Sequence, residues 1–519
     1  MQKTILSIDC GTQSTRAILF SLYGEVLDKE QVFYEPYYSR QPGWAEQDPE
    51  VYWGSLCQAC QAVKERSQKL FENIIGVGVT TLRDSMVNVD KEGKSLRPVM
   101  VWLDQRKARL VYKPAFPVNM ALKAVGMGQA LRKMQREGKC NWIRQNQPDI
   151  WNQTFKYLQV SGFLNYRLTG EFADSVASQI GHIPFDYKKL KWGNPKELMS
   201  FSSKIYPVES DKLPELINLG DEIGKISKAA SEQTGIKEGI PVIACGSDKG
   251  CETLGTGVVD STMASLSFGT TATVQTTVDK YMEPIPFMPS YPAVFAERFN
   301  PEFEIFRGYW MITWFKNEFA LKEVQEAAQK GIAPEQVLNG LLREAPPGAM
   351  GLVVQPYWSP GLSEPLAKGA MIGFGDVHKK AHVYRAVIEG LAFGLLDGLR
   401  KIEKRGKFRF EKLAVSGGAS QSDEICQVSA DIFDLPIVRG QTHESSGLGA
   451  AIITASGTGC YKSVQEAVAK MVEYQFTFEP NPKNTEIYTK LYTGVYKKMY
   501  KALKPLYGEI QEITGYPEE

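Results

Sequence analysis

The chain has 519 residues, a length at which one core stops growing and two or more domains are expected. Hydrophobic residues make up 43% and charged residues 23%, and the formal net charge of +1 leaves no electrostatic footprint for nucleic acid or an acidic membrane. No run of about 18 apolar residues occurs, and the opening MQKTILSIDCGT lacks a long apolar h-region, so a soluble cytoplasmic protein is expected.

Residues 4–20, TILSIDCGTQSTRAILF, read as a strand, a tight polar turn and a second strand. Residues 22–25 (LYGE) make the next turn, and a third strand follows. A helical pattern covers 49–71, and 73–80 (NIIGVGVT) and 85–89 read as strands. The order β-β-β-α-β points to a mixed α/β domain. The basic stretch from Lys123 to Arg144 reads as the solvated face of a helix. Residues 151–168 look helical, ended by the glycine of LTG. Residues 240–244 form a short apolar strand, and 245–257 read as a loop-like joint.

The opening pattern then returns. Residues 263–274, MASLSFGTTATV, again read as strand, polar turn, strand. Gly11-Thr12-Gln13-Ser14-Thr15 and Gly269-Thr270-Thr271-Ala272-Thr273 are both G-T-x-x-T between apolar strands. The recurrence suggests a duplicated fold with a cleft between its halves. Residues 380–401 read as a helix, 412–415 as a strand, 416–422 (SGGASQS) as a glycine-rich turn and 423–433 as a helix. A strand at 434–438 and a helix at 447–455 follow, and from Pro480 the tail carries one long helical pattern.

The eight cysteines are scattered, as expected of free thiols, and Cys57 and Cys60 read as core residues one helical turn apart. His378 and His382 flank a helix start in a lysine-rich segment and do not read as a metal pair. Neither a G-x-x-x-x-G-K-[ST] loop nor a G-x-S-x-G elbow is present.

Backbone N–H groups in a Gly/Thr turn approach phosphate oxygens closely, and hydroxyls add donors. Two such turns across a cleft would hold a polyphosphate. Asp9 ends the first strand beside one turn, where a carboxylate either binds Mg²⁺ or caps turn N–H groups. SGGASQS offers backbone against which a base or ribose can lie. Asp248, in ACGSDKG at the joint, is either a base that accepts a hydroxyl proton or a solvated loop aspartate. Arg83 and Asp84 form an adjacent cation and anion that either grips vicinal hydroxyls or is a surface ion pair.

In this order the segments resemble the FGGY carbohydrate kinases, relatives of the actin and Hsp70 ATPase folds. The likeness runs over nearly the whole chain. It includes SIDCGTQSTRAILF, PGWAEQDPEVYW (42–53), VWLDQR (101–106), WIRQNQPDIW, YRLTGEFADSVAS, LSFGTTATV, PYWSPGLSEPLAKGAMIGF, HVYRAVIEGLAFGL, SGGASQSDEICQVSADIFDLPIV and ESSGLGAAIITA. The resemblance implies two ribonuclease-H-like (actin-like ATPase) α/β domains, 1–244 and 245–519, with an interdomain catalytic cleft. It implies ATP and Mg²⁺ as cofactors, a small sugar or polyol as partner, and neither nucleic acid nor membrane; a homodimer is left open. Asp248 falls at the family's catalytic base, and Asp9 and Asp248 at its metal side. Gly11, Thr12, Gln13, Ser14, Gly269, Thr270 and Thr271 fall on the phosphate turns. Gly417, Gly418, Ala419 and Ser422 fall on the adenosine segment, and Arg83, Asp84, Asp248 and Lys249 at the acceptor.

The chain departs from the family at three places. Ser416 stands where many members have a third glycine, Ser363 and Glu364 where others read G-E-R-T-P, and Lys249 where others have a neutral amide. Lys249 either faces the pocket, near Asp248 or an anionic substrate group, or points outward as a surface lysine. The activity implied is phosphorylation of a ketose, pentulose or glycerol-like polyol. The alternatives are a sugar-acid kinase, a non-catalytic ATP-binding sugar sensor, and an ATP-driven conformational machine.

Overall fold

Apolar runs on either side of GTQ, buried on both faces, fold into a hairpin, β1 (Thr4–Cys10) against β2 (Ser14–Ser21), closed by Gly11 N–H donating to Ser14 O at 2.9 Å. The computed structural model describes residues 2–117, 119–120, 128–197, 200–285, 288–359 and 366–516. β3 (Val26–Phe33) continues the hairpin antiparallel. β4 (Ile74–Thr81) returns parallel to β1 after helix α1 (Pro49–Arg66), which Asp48 caps and Pro49 opens. Strands β5 (Glu222–Lys225) and β6 (Pro241–Ile243) complete a six-stranded sheet of order β5-β6-β4-β1-β2-β3.

The second half repeats the plan. β7 (Met263–Phe268), β8 (Ala272–Gln275), β9 (Glu302–Ile305), β10 (Lys412–Ser416), β11 (Ile437–Gly440) and β12 (Tyr474–Phe478) form a sheet of order β9-β8-β7-β10-β11-β12. In each half the first three strands are antiparallel, the next two run parallel to the first, and the sixth is antiparallel at the edge. The duplication inferred from two short turns thus extends over both sheets. The sixth strand differs: β5 precedes its neighbour in the chain, whereas β12 follows its own.

Each half has its own core, and a third apolar cluster joins them around Ile5, Ile18, Phe20, Cys251, Leu254 and Ile452. Helix α2 (Asp248–Gly255) and a later helix, Ser445–Gly457, cross at this junction. They meet backbone to backbone: a Cβ on Gly255 would stand 1.9 Å from Ser445 O, and one on Gly449 1.9 Å from Cys251 O. Glycine is therefore required at both positions by close approach. All eight cysteines are free, and Cys60 is buried in the first core.

Several sequence expectations change. The supposed loop at 245–257 is largely helix, because Ser247 caps it with its Oγ accepting from Gly250 N–H. The single helix expected at 151–168 is instead Pro148–Gln153, a strand Lys156–Gln159 and Val160–Thr169. That strand joins Met86–Val89 in a small four-stranded sheet, a long-range pairing that overrides local helical periodicity. Gly170 does end the last helix, at φ 88°. Of the basic stretch, residues 123–127 lie outside the described residues and the rest forms Gly128–Glu137 and Lys139–Asn146, with Lys139 buried rather than solvated. Ser363 and Glu364 lie outside the described residues. Among the described residues no helix is long and apolar enough to cross a membrane.

Candidate active site

The C-terminal ends of β1, β4 and β7 and the start of α2 converge. Asp9 pairs in register with Thr80 of β4, Thr80 Oγ1 donates to Gly246 O at 2.9 Å, and Thr81 bridges Ser247. Asp248, the first residue of α2, therefore begins its helix beside the first hairpin. Lys249 Nζ reaches 2.8 Å to Ser267 Oγ on β7, next to the second hairpin's turn. The two G-T turns thus flank the start of α2. Their tips are open: Thr12 and Thr271 are partly exposed, and Gln13 and Thr270 are exposed. Thr12 Oγ1 accepts from Trp102 Nε1 at 3.0 Å, so its own proton remains to be donated.

Asp9 is 6% exposed, and its Oδ2 accepts from Arg16 Nη1 at 3.0 Å. Burial pushes its carboxyl up to about 6 against the pull of Arg16, and Asp248 and Glu444 add to the rise. Burial also raises Asp248, opposed by Arg83 and Lys249. A buried carboxylate raised by a partly exposed neighbour is a setting that a hard divalent cation relieves, and the oxygen donors of Asp9 and Asp248 suit Mg²⁺. Among the described residues no group of three or more His, Cys, Asp or Glu side chains is placed to hold a metal.

Arg83 and Asp84 do not pair with each other, which corrects the surface ion-pair alternative. Arg83 reaches across to the second half, donating to Glu302 at 3.1 and 3.2 Å. Its Nε lies 3.9 Å from Asp248 Oδ1, and its guanidinium stands 5.3 Å from the ring centre of Tyr291. Asp84, at φ 51°, turns the other way. Its carboxylate accepts from Lys139 Nζ at 2.6 Å and His182 N–H at 2.9 Å, and lies 2.8 Å from His182 Nδ1. Against the upward push of burial, Lys139 and His182 hold it well below the usual carboxylate range. Most of its lone-pair capacity is already used.

Lys249 points inward, not outward. Its Nζ donates to Glu252 Oε2 at 2.7 Å as well as to Ser267. On the nucleotide side, Ser416 ends β10 and Gly417 follows at φ 84°. A Cβ on Gly417 would lie 2.8 Å from the backbone of Phe268, so this turn packs against the second phosphate turn. Gly418 opens a short 3₁₀ turn with open space at its Cα, Ala419 is half-buried, and Ser422 Oγ caps the helix Asp423–Phe433 by accepting from Ile425 N–H.

Sequence reading missed Arg16, Lys139, His182, Glu252, Tyr291, Glu302 and Glu444. Glu444 accepts from Lys29 Nζ at 2.6 Å and lies 3.5 Å from Arg16, tying the halves together. Glu304, beside Glu302 on β9, is driven up to about 7 by burial and by Glu302. The segments PGWAEQDPEVYW and VWLDQR do meet. Arg106 bonds Asp104 and Glu46, and its guanidinium lies 4.2 and 4.5 Å from the ring centres of Trp44 and Trp142, which meet edge to face.

Comparison with known proteins bears on this geometry. The model of the FGGY family of carbohydrate kinases, N-terminal domain, matches residues 4–255, and that of its C-terminal domain matches 264–458. An uncharacterized sugar kinase of Escherichia coli K12 is 28% identical over 489 residues, covering 94% of this chain and 91% of that protein. A xylulose kinase of Lactococcus lactis is 26% identical over 495 residues, covering 94% of each. The crystal structure of a gluconate kinase from Lactobacillus acidophilus aligns over 98% of this chain and 100% of its own, with TM-score 0.82 and 22% identity. With duplicated sheets and both domain models in order along it, the chain belongs to the FGGY family of carbohydrate kinases, ATP-dependent phosphotransferases.

Proposed function

We propose that this kinase transfers the γ-phosphoryl of ATP to a hydroxyl of a small neutral ketose, pentulose or glycerol-like polyol, with Asp248 as general base. The observation that carries the reading is the position of Asp248: at the start of α2, between the two phosphate turns and 3.9 Å from Arg83. Asp248 takes the proton of the acceptor hydroxyl, and that oxygen attacks in line. N–H and hydroxyl donors of Thr12, Gln13 and Ser14, in the turn that Gly11 opens, on one side, and of Gly269, Thr270 and Thr271 on the other, hold the phosphates. Gly417, Gly418, Ala419 and Ser422 line the adenosine side. Asp9 and Asp248 are the residues that would hold Mg²⁺, which when bound offsets negative charge on the phosphates. Arg83 orients the acceptor, while Asp84 acts through Lys139 and His182. The acceptor side belongs to residues 1–244 and the nucleotide side to 245–519. The enzyme works in the cytoplasm.

The preference for a neutral acceptor rests on charge. Arg83 is held by Glu302, Lys139 by Asp84 and Lys249 by Glu252, so each of these cations already has a carboxylate partner. A substrate carboxylate would have to displace one of them and would face Asp248 and Glu304. A sugar acid is the second reading, favoured by the likeness to a gluconate kinase. The test is ADP release across polyols, ketoses and sugar acids, D-xylulose and D-gluconate included. Turnover highest with a neutral acceptor and abolished in Asp248→Asn supports the proposal. A sugar acid as best acceptor overturns the neutral preference, and ADP release indifferent to any acceptor overturns the kinase mechanism.

A further inference from the structure

Four side chains beside Asp248 form a closed polar cluster. Glu252 sits one helical turn after Asp248 on α2 and is 8% exposed. Its Oε2 accepts from Lys249 Nζ at 2.7 Å. Its Oε1 accepts from Ser267 Oγ at 2.8 Å and from Ser416 Oγ at 2.7 Å. Lys249 Nζ also donates to Ser267 Oγ at 2.8 Å. Ser267 and Ser416 are 2% exposed and are register partners on the parallel strands β7 and β10.

The position of this cluster matters more than its count of bonds. Ser267 stands two residues before Gly269 of the second phosphate turn, and Ser416 immediately before Gly417 of the adenosine segment. Lys249 follows Asp248. One carboxylate therefore fastens the start of the base-bearing helix to both strands that lead into the nucleotide-side turns. Two further bonds fix the same helix to the same sheet: Thr253 Oγ1 to Gln275 Oε1, and Thr256 Oγ1 to Ser265 Oγ at 3.1 Å. The chemistry requires an anion. Glu252 receives three side-chain donors, two on one oxygen and one on the other, and an amide has one acceptor oxygen and presents a donor on its other side. Lys249 and Ser416 are also two of the places where the sequence departs from its family, and the cluster accounts for both residues together.

We propose that Glu252 is a positioning residue for phosphoryl transfer: through Lys249, Ser267 and Ser416 it sets Asp248 in register with the second phosphate turn and the adenosine segment. Lys249 is then a strut of this clamp, not an acceptor contact. The inference rests on the reading of Asp248 as base. In-line attack tolerates little error, and a displacement of about 1 Å costs about a hundredfold in rate.

The test is steady-state kinetics of Glu252→Gln, Ser416→Ala, the double variant, and Asp248→Asn in parallel. The acceptor is the best one from the panel, ADP is the probe of nucleotide binding, and rates are normalised to folded protein by an unfolding curve. Glu252→Gln is expected to lower kcat about tenfold to a hundredfold, with the acceptor KM changed by less than about threefold. Ser416→Ala, a small change that leaves the fold intact, is expected to lower kcat about threefold and to add nothing on the Glu252→Gln background, since both act through one carboxylate. Lys249→Gln combined with Glu252→Gln, which lets two amides pair, should recover part of the lost kcat. If folded Glu252→Gln turns over within twofold of wild type while Asp248→Asn is inactive, the cluster serves the fold alone and this inference fails. If the acceptor KM rises tenfold with kcat kept, Lys249 and Glu252 are acceptor contacts and it fails as well. If Asp248→Asn retains turnover, it is the base assignment that falls.

Discussion

Replacing Asp84 with asparagine separates an acceptor ligand from a structural counter-ion. The substitution is close to isosteric, and asparagine tolerates the left-handed backbone that Asp84 adopts at φ 51°, so conformational strain does not enter. The side chain loses its charge while Lys139, 4% exposed and 2.6 Å away, keeps its own. Either the amide NH₂ faces the ammonium or the carbonyl abandons the His182 N–H. A buried ion pair broken on one side costs about 3–5 kcal/mol, because the remaining charge is desolvated without compensation. Urea unfolding followed by tryptophan fluorescence should register a loss of this size. Asp84→Asn with Lys139→Met should recover most of it, since the stranded ammonium is then gone. The pH dependence has a defined sign. The folded pKa of Asp84 lies below the ordinary 3.8, so its contribution is present above pH 3.8 and is lost as pH falls through the lower folded value. Wild type and variant should therefore converge in acid. An unchanged unfolding curve at pH 7 together with a tenfold rise in acceptor KM would refute this reasoning and return Asp84 to the acceptor.

Asp248→Asn should lower turnover by about two to four orders of magnitude while ADP binding, measured by calorimetry, stays within about twofold; near-normal turnover removes Asp248 from the mechanism. Asp9→Ala should weaken Mg²⁺-dependent catalysis and spare acceptor binding; wild-type rates at excess Mg²⁺ and ATP would leave Asp9 as a turn cap. Glu444→Gln should destabilise the junction of the halves by about 1–3 kcal/mol at pH 7. Against burial, His443, Lys29 and Arg16 bring the Glu444 carboxyl down to about 2 from 4.5, so its contribution is present above pH 4.5 and lost towards 2. A stability difference from wild type that persists unchanged at pH 2 would rule out the ionised carboxylate as its source.

Much of the fold is legible locally. The turns GTQ and GTT, bounded by apolar runs, specify hairpins because glycine and short polar residues are the chemistry that tight reversals need. Their recurrence announces the duplication that both sheets display. Gly170 stops a helix where LTG says it should, and SGGASQS makes a turn before a helix that Ser422 caps. Where local reading fails, a distant partner decides. Residues 156–159 carry a helical period but are a strand, because Met86–Val89 offers them a ladder. The helix at Asp248 was hidden in a glycine-rich stretch whose decisive feature is the Ser247 cap.

The sequence alone determined the family, the two phosphate turns and the identity of Asp9 and Asp248 as residues to watch, since each is carried by a short segment with its own chemistry. Only the tertiary structure decided what each charge faces. Arg83 and Asp84 are neighbours along the chain yet are bound to Glu302 and Lys139, 219 and 55 residues away. Ser416 and Glu252 meet across 164 residues. Local pattern records how the backbone prefers to bend, whereas the partner of a buried charge is chosen by desolvation, which leaves unpaired charges costly and draws together residues that no spacing in the sequence relates.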